Sequence, residues 1–317
     1  MHTSLAEWYT SFGAREARGV SPAYERLSYA VAGSDTVLDL LATLPTADRQ
    51  PNLLFGVVRL LGGPVAEPAG FLSYVADRWP VIAPEMRSRV TQTNECGRCA
   101  PLLPVLAALP QPLALIEVGA SAGLNLYPDR YAYRYGDRLV GAGHPVLSCD
   151  LRGIDPPAAR PEVMWRAGID LNPLDVTDPA DVAWLEALIW PEHEHRRARL
   201  RAAAAIAAAD PPLLVRGDLV TDLPAVAASA PAGATLVVFH NSLLYLVPKP
   251  GRDRFVQTVR DLPGHWIANE SPDVLSYPGL PSPPAETAMN VLALDGRPLA
   301  WTAPHGQSAH WFADVST

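Results

Sequence analysis

The sequence has no cluster of basic residues and few cysteines. Lys and Arg number 25 against 33 Asp and Glu, and the formal net charge is −8. A nucleic-acid groove needs the opposite field, because the phosphate backbone is negative. We therefore expect no nucleic-acid partner.

Three cysteines, an odd number in a chain of 317 residues, are typical of a reducing cytoplasm. They are too few for a zinc site of four cysteines, and no metal site is expected.

Long uninterrupted apolar segments are also missing. The most apolar segment, Pro101–Val118, is interrupted by Pro104, Pro110 and Pro112, so it cannot form one membrane-spanning helix. The amino terminus lacks the basic region and apolar stretch of a secretory signal. We therefore expect a cytoplasmic protein with no membrane partner. Its hydrophobic content of 49% with 18% charged residues indicates a globular chain.

Residues 1–105 are predicted to form an N-terminal helical region. Apolar residues between Leu5 and Phe12 recur at helical spacing. Ser21 and Ser34 each precede a helix-like stretch, and serine is a favoured N-cap. No strand is predicted before Leu113.

Residues 106–317 are predicted to form a separate α/β domain. Short β-rich runs alternate there with helical stretches, which is typical of a mostly parallel sheet with crossover helices. The predicted core strands are Leu113–Val118, Val163–Asp170, Leu213–Asp218, Thr235–His240 and His265–Asn269. Asp181–Ala209 is predicted to be a long helix or a helix pair.

Two hairpins are predicted in this domain. Asp295 and Gly296 lie between Met289–Leu294 and Leu299–Thr302, and Asp-Gly favours a type I′ turn. This pair is the expected C-terminal β-hairpin. Alternating tyrosines predict a second, inserted hairpin near residues 129–160.

The segment Leu113–Leu126 indicates a buried strand that passes through a turn of small residues into a helix start. Gly119 and Gly123 permit a tight turn and the close approach of a ligand. Amide groups at a helix start favour an anionic or polar ligand. The same turn also matches the nucleophile elbow of serine hydrolases, with Ser121 as the nucleophile. Close packing of helix on strand is a third explanation of the small residues.

Every predicted core strand ends in a polar residue. These residues are Glu117, Asp170, Asp218, His240 with Asn241, and Asn269 with Glu270. In doubly wound sheets, ligands bind beyond the carboxyl ends of the strands. Carboxylates at these ends can accept hydrogen bonds from an ammonium group or from ribose hydroxyls. The pattern predicts a ligand site at this edge of the sheet.

This series of polar residues at the ends of successive strands resembles the class I S-adenosylmethionine-dependent methyltransferases. The segment Glu117–Gly123 is similar to their first motif, with Ser121 where the family usually has its middle glycine. The resemblance implies a Rossmann-like fold in which Gly119 and Gly123 pass under the methionine part of the cofactor. It also implies that Glu117 orders that part.

Further positions follow from the same resemblance. Asp170 would accept hydrogen bonds from the ribose hydroxyls of the cofactor, and Asp218 would lie on its adenine side. His240 and Asn241 would lie where the groups of the substrate gather. The acid that binds ribose normally lies about twenty residues beyond the glycine turn, and Asp170 lies much farther along the chain. The inserted hairpin accounts for this distance, or Asp129 is the acceptor instead.

Three further residues are candidate substrate contacts. Asn94, Glu95 and Arg98 have the spacing that brings side chains together on one helix turn. That helix leads into the first strand, so its start could lie over the site. An ion pair at the surface is the alternative.

The whole chain also resembles an uncharacterised bacterial family, domain of unknown function 2332. The residues that carry this resemblance are Arg49–Leu54, Gln92–Glu95 with Gly97 and Arg98, Glu117–Leu126, Gly168–Pro173 and Trp190–Glu192.

These observations predict a methyltransferase that uses S-adenosylmethionine and acts on an unknown small molecule. His240 is the candidate base or orienting group. The alternatives are a non-catalytic protein of the same fold that binds a metabolite or a protein partner, and a serine hydrolase. The hydrolase would use Ser121 with Asp218 and either His240 or His305, in the order found in α/β-hydrolases. The oligomeric state is not predicted.

Overall fold

The computed structural model describes residues 2–284 and 289–315, and the chain divides into two compact units. The first unit comprises the chain up to Thr93 together with Thr177–Ala198, and the second comprises Asn94–Val176 and the chain from Arg199. The sequence had placed one boundary near residue 105. Residues 177–198 belong to the first unit because they pack among its helices, where the Trp184 indole donates to the Val90 carbonyl at 3.1 Å.

The described residues form ten α-helices and twelve strands. The helices are α1 His2–Phe12, α2 Pro22–Ala32, α3 Asp35–Ala42, α4 Pro51–Leu60, α5 Pro68–Ser88, α6 Cys99–Ala108, α7 Pro179–Leu188, α8 Glu194–Ala209, α9 Leu223–Ala227 and α10 Lys249–Asp261. The strands are β1 Leu113–Val118, β2 Ala132–Tyr135, β3 Arg138–Val140, β4 Val146–Ser148, β5 Asp150–Arg152, β6 Val163–Asp170, β7 Leu213–Arg216, β8 Thr235–Asn241, β9 His265–Glu270, β10 Asn290–Leu294, β11 Arg297–Thr302 and β12 Ser308–Trp311.

The first unit is helical and is built around an aromatic core. Phe55 is fully buried, and the rings of Tyr9, Tyr24 and Phe71 lie with their centroids 4.7 to 6.1 Å from it. Such edge and tilted contacts between buried rings add to the stabilisation by burial. No strand precedes Leu113 in the described part of the chain, as predicted.

Both predicted serine caps form in this unit. The Ser21 hydroxyl accepts from the Tyr24 amide at 3.2 Å at the start of α2, and the Ser34 hydroxyl accepts from the Val37 amide at 3.4 Å at the start of α3. Ser21 is fully buried and also donates to the Glu192 carboxylate at 2.6 Å. It therefore ties α2 to the segment between α7 and α8.

The second unit contains a nine-stranded, mostly parallel sheet in the order β5-β12-β11-β10-β9-β8-β1-β6-β7. The five predicted core strands are β1, β6, β7, β8 and β9, and they lie side by side and parallel. β1 pairs with β6 on one side and with β8 on the other. The strand order therefore reverses at β1, which is where open α/β sheets form a crevice beyond the carboxyl ends.

The C-terminal hairpin forms where it was predicted. β10 and β11 are antiparallel, and Asp295 and Gly296 have φ values of 53° and 82°. Two positive φ values are the requirement of a type I′ turn. The hairpin extends the sheet beyond β9, to which β10 is antiparallel.

Two features differ from expectation. The insertion is a three-stranded sheet in which β2 pairs with both β3 and β4, and β5 joins the far edge of the large sheet beside β12. The helix expected after the glycine turn is replaced by a 3₁₀ turn of three residues, Leu124–Leu126. A turn this short offers no extended row of amides and no appreciable dipole to a ligand.

None of the helices that the structure describes combines the length and apolar character needed to cross a bilayer.

We predict that Ser21→Ala lowers the free energy of unfolding by about 2 kcal/mol, because it removes a helix cap and leaves the Glu192 carboxylate without its hydroxyl donor. Ser34→Ala is the matched control: it removes a cap alone and should cost about 0.5 to 1 kcal/mol. Urea unfolding measures both variants. Equal losses would show that the bond between Ser21 and Glu192 contributes nothing.

Candidate functional site

The two faces of the parallel sheet have different chemistry at its carboxyl edge. Successive side chains on a strand point to opposite faces. Ile116 and Val118 belong to an apolar cluster on one face, so Glu117 between them points to the other. Glu117 pairs in register with Phe239 on β8, which places Asn241 on the same face as Glu117.

Glu117 is a buried carboxyl group at this edge of the sheet. Its side chain is 2% exposed, and its Oε1 accepts from the Asn125 amide at 2.7 Å. Its Oε2 is buried and has no hydrogen-bond partner among the described residues. Burial raises the pKa of Glu117 to about 8, although the Asn125 bond and the Arg98 charge oppose the shift. At neutral pH the protonated form therefore predominates.

The glycine turn after β1 is held by a carboxylate of the neighbouring strand. Gly119, Ser121 and Gly123 have φ values of 74°, 52° and 72°. The Ser121 amide donates to Asp170 Oδ2 at 2.7 Å, and the Asn172 amide donates to Asp170 Oδ1 at 2.8 Å. Asp170 therefore joins the ends of β1 and β6. The Ser121 hydroxyl is buried and has no partner in the described chain.

Gly119 is required by its neighbours as well as by its backbone angle. A β-carbon at this position would lie 2.6 Å from a methyl group of Leu243. The space that glycine leaves here is therefore taken by a side chain of the protein. Close internal packing explains this glycine at least as well as the approach of a ligand does.

Asn94 supports the same turn from the other side. Its amide nitrogen donates to the Ala120 carbonyl at 3.1 Å, and its amide oxygen accepts from the Leu124 amide at 3.1 Å. Both ends of the side chain thus bond to the turn. Asn94 positions the turn, which differs from the expected contact with substrate.

Asn241 ends β8 beside Glu117 and begins a row of polar side chains. Its Oδ1 accepts from Asn269 at 3.0 Å, and Asn269 Oδ1 accepts from the Thr302 hydroxyl at 2.6 Å. Asn290 continues the row by donating to the Ser242 hydroxyl at 2.8 Å. The Nδ2 of Asn241 is buried without a partner among the described residues.

Arg98 and Glu95 are buried near this row and have defined partners. Arg98 donates to the carbonyls of Pro304 at 2.9 Å and Asn241 at 3.2 Å. Glu95 accepts from the Gly97 amide at 3.0 Å and pairs with Arg199 at 2.8 Å. The expected helix turn is a 3₁₀ turn, Cys96–Arg98, that Glu95 caps. These residues are therefore part of a buried network, and the surface ion pair is not found.

His240, the predicted base, lies on the face opposite to Glu117, an arrangement that does not favour that role. It is fully buried, with its Nδ1 2.7 Å from Glu270 Oε1, and its Nε2 accepts from the Trp266 indole at 3.0 Å. Because Nε2 accepts, Nδ1 carries the proton that is donated to Glu270. Glu270 Oε1 also accepts from the amides of Leu243 and Leu244. Both ring nitrogens are thus occupied, and this geometry leaves none for proton transfer.

Asp218 is likewise separated from the buried groups. It is exposed, and its Oδ1 accepts from the amides of Val220 and Thr221 at 2.8 and 3.2 Å. These bonds close a local turn after β7. The geometry gives Asp218 a structural role in place of the expected adenine contact. Asp129, the alternative ribose acceptor, is bonded to Arg166 at 2.9 Å.

The geometry does not support a serine hydrolase. A serine nucleophile needs a base within hydrogen-bond distance. The Ser121 hydroxyl has no hydrogen-bond partner in the described residues, and His240 lies on the other face of the sheet.

Some residues of the site were not found by sequence reasoning. Asn125 bonds Glu117 and also lies 3.4 Å, through its carbonyl, from the Cys99 thiol. Arg199 pairs with Glu95 across more than a hundred residues of sequence. The sequence held a signal for Asn125, because it is an asparagine inside an otherwise apolar run. Arg199 had no local signal, because its pair with Glu95 forms only in the tertiary structure.

Comparison with known families assigns residues 6–311 to a family described as "Uncharacterized protein conserved in bacteria (DUF2332)", so the chain belongs to this family. This match confirms the predicted resemblance to domain of unknown function 2332. Searches of curated proteins and of solved structures found no match.

We predict that stability falls as pH rises between about 4.5 and 8, and that Glu117→Gln reduces this fall. The raised pKa means that the folded state keeps a proton which the unfolded state has released in this interval. Each pH unit can cost up to about 1.4 kcal/mol. Glutamine is neutral and keeps the oxygen that accepts from Asn125. Urea unfolding across this pH range is the measurement.

Glu162→Gln is the control for this experiment, because it changes an exposed glutamate. It should keep the pH dependence of the parent. Identical slopes for the parent and both variants would contradict the assignment of the proton to Glu117.

Proposed function

We propose that the protein is an S-adenosylmethionine-dependent methyltransferase that acts on a small molecule and binds its cofactor beyond the carboxyl ends of β1, β6 and β8. One observation carries the proposal: Glu117 Oε2, Ser121 Oγ and Asn241 Nδ2 are all buried without partners in the described chain. Buried polar atoms are rarely unpaired, since each costs about 1 to 3 kcal/mol. A polar ligand would pair them.

The three atoms have complementary chemistry. Glu117 supplies an acceptor when ionised, Asn241 supplies a donor, and the Ser121 hydroxyl can act as either. An α-amino acid presents an ammonium group to the first and a carboxylate to the second. The methionine part of S-adenosylmethionine has both groups. A bound ammonium would lower the pKa of Glu117 and favour its charged form.

The strand order supports a nucleoside-containing cofactor. β7-β6-β1-β8-β9 is the parallel arrangement 3-2-1-4-5, which Rossmann-like folds share. Asp170 ends β6, the strand whose terminal acid binds ribose in such folds. A carboxylate accepts up to about four hydrogen bonds, so its bonds to Ser121 and Asn172 are compatible with that role. Leu171 follows with 72% of its side chain exposed and could lie against the base.

The cofactor would supply an electrophilic methyl group. The contribution of the protein is then to hold the acceptor in line with it and to exclude water, and a base is needed only for a weak nucleophile. Arg98 and Asn94 serve this function indirectly, because they fix the β8 terminus and the glycine turn. His240 and Asp218 have no part in the proposal.

A non-catalytic protein that binds the same ligand is the second candidate. It is favoured by the engaged ring of His240 and by the missing helix after β1. Such a protein would bind a nucleoside cofactor or another amino-acid metabolite and would transfer no methyl group.

We expect S-adenosylhomocysteine to bind in titration calorimetry and Asn241→Asp to weaken it at least tenfold. Aspartate keeps the oxygen that accepts from Asn269 and replaces the buried donor by an acceptor, at a cost above about 1.4 kcal/mol. Asp218→Asn is the matched control and should bind as the parent does. Failure of the parent to bind, or equal affinities for the three proteins, would refute the proposed site.

Methyl transfer separates the two candidates. Protein that binds the cofactor is incubated with S-adenosylmethionine carrying a heavy methyl group and with a bacterial small-molecule extract. Mass spectrometry should reveal a labelled product with the parent and not with Asn241→Asp. Binding without any labelled product would favour the non-catalytic candidate.

A further inference from the structure

Glu117 is a buried carboxyl group with one hydrogen-bond donor and one oxygen left over. Its side chain is 2% exposed, and the Asn125 amide donates to Oε1 at 2.7 Å. Oε2 is buried and has no partner among the described residues. A single neutral amide cannot replace the water that stabilises a carboxylate. The environment of the free protein therefore favours the protonated form of Glu117.

The charged groups around Glu117 do not reverse this preference. Arg98, in the 3₁₀ turn before α6, favours the carboxylate, but its guanidinium donates to backbone carbonyls. Asp170, at the end of β6, disfavours the carboxylate, and β8 contributes the neutral side chain of Asn241 to this face. Burial raises the pKa of the Cys99 thiol, at the start of α6, well above its usual value, so this neighbour is neutral. Burial prevails and raises the pKa of Glu117 to about 8.

Asn125 decides which oxygen of Glu117 holds the proton. Oε1 accepts from the Asn125 amide, so the hydroxyl of the neutral group is placed at Oε2. Oε2 is then a donor, and so is Nδ2 of Asn241, which is also buried and unpaired in the described part of the chain. The neutral form of the site therefore fits a ligand that presents acceptors, such as a carboxylate without a neighbouring amine.

An α-amino acid ligand requires the other state of Glu117. Its ammonium group carries a positive charge and can only donate, so Oε2 must lose its proton and become an acceptor. The ligand then supplies the opposite charge that stabilises the buried carboxylate. One proton passes to solvent for each ligand bound, and the ammonium takes its place.

We propose that this site exchanges the proton on Glu117 Oε2 for the ammonium group of an α-amino acid ligand, and that it binds the deaminated analogue of such a ligand without exchange. The inference rests on the proposed function, which supplies the amino acid part of the ligand. Since a proton competes with the ammonium group, affinity for the amino acid ligand should rise about tenfold per pH unit below the pKa of Glu117. Affinity for the deaminated analogue should not rise.

Titration calorimetry at pH 6 and pH 7 tests the exchange. The probes are S-adenosylhomocysteine, whose α-amino group stays charged in this interval, and its analogue without that amino group. The affinity of the parent for S-adenosylhomocysteine should rise about tenfold from pH 6 to pH 7. Titrations in two buffers of different ionisation enthalpy should give about one proton released per ligand. The analogue should bind with equal affinity at both pH values and release no proton.

Glu117→Gln fixes the site in its donor form. Glutamine keeps the oxygen that accepts from Asn125 and places an amide donor where Oε2 lies. This variant should bind S-adenosylhomocysteine at least tenfold more weakly than the parent at pH 7, without pH dependence, and should still bind the deaminated analogue. Glu162→Gln changes an exposed glutamate and should keep the pH dependence of the parent. The proton count of the parent needs no variant, so the test is decisive even if Glu117→Gln does not fold.

The possible failures are distinguishable. Equal affinities of the parent for S-adenosylhomocysteine at both pH values, with no proton released, would overturn the exchange and leave the proposed function in place. If the parent binds S-adenosylhomocysteine at neither pH, the proposed function is refuted and the exchange with it.

Discussion

The carboxylate of Asp170 is the contact on which the arrangement at the sheet edge depends. It receives the amides of Ser121 and Asn172, so the end of β6 and the turn after β1 are joined by one side chain. The turn includes a serine at positive φ, which a non-glycine residue adopts only under constraint. Asn94 adds two bonds from the other side. The position of the buried Ser121 hydroxyl follows from these contacts.

His240 and Asn241 are neighbours in the sequence, but the alternation of side chains along β8 places them on opposite faces of the sheet. Asn241 shares its face with Glu117, whereas His240 points into the apolar cluster and is bonded by Glu270 and Trp266. Both ring nitrogens of His240 are therefore bonded, although Glu270 Oε2 on that face has no partner among the described residues. Buried polar atoms with bonds left over are candidates for binding, and the Glu117 face carries two of them, Glu117 Oε2 and Asn241 Nδ2.

Much of the fold was predictable because its signals are local. Five core strands were recognised from short apolar runs, and the bounds of β1 and β6 agree with the prediction. The Asp-Gly hairpin and both serine caps depend on residues a few positions apart. The sequence did not predict that residues 177–198, which include α7, belong to the first unit. They associate there with helices that lie far earlier in the chain. The 3₁₀ turn after β1 was missed because the small residues there favour a helix start and a tight turn equally.

The sequence by itself determined the α/β class, the order of the core strands along the chain, the glycine turn and the family. It also identified Glu117, Asp170 and Asn241 as polar residues at strand ends and Ser121 as a polar residue of the glycine turn. Only the tertiary structure decided which of them are bonded and which are left unpaired. Hydrogen-bond partners such as Asn125 for Glu117 and Trp266 for His240 are set by strand pairing and packing, and residue type at a strand end does not encode them.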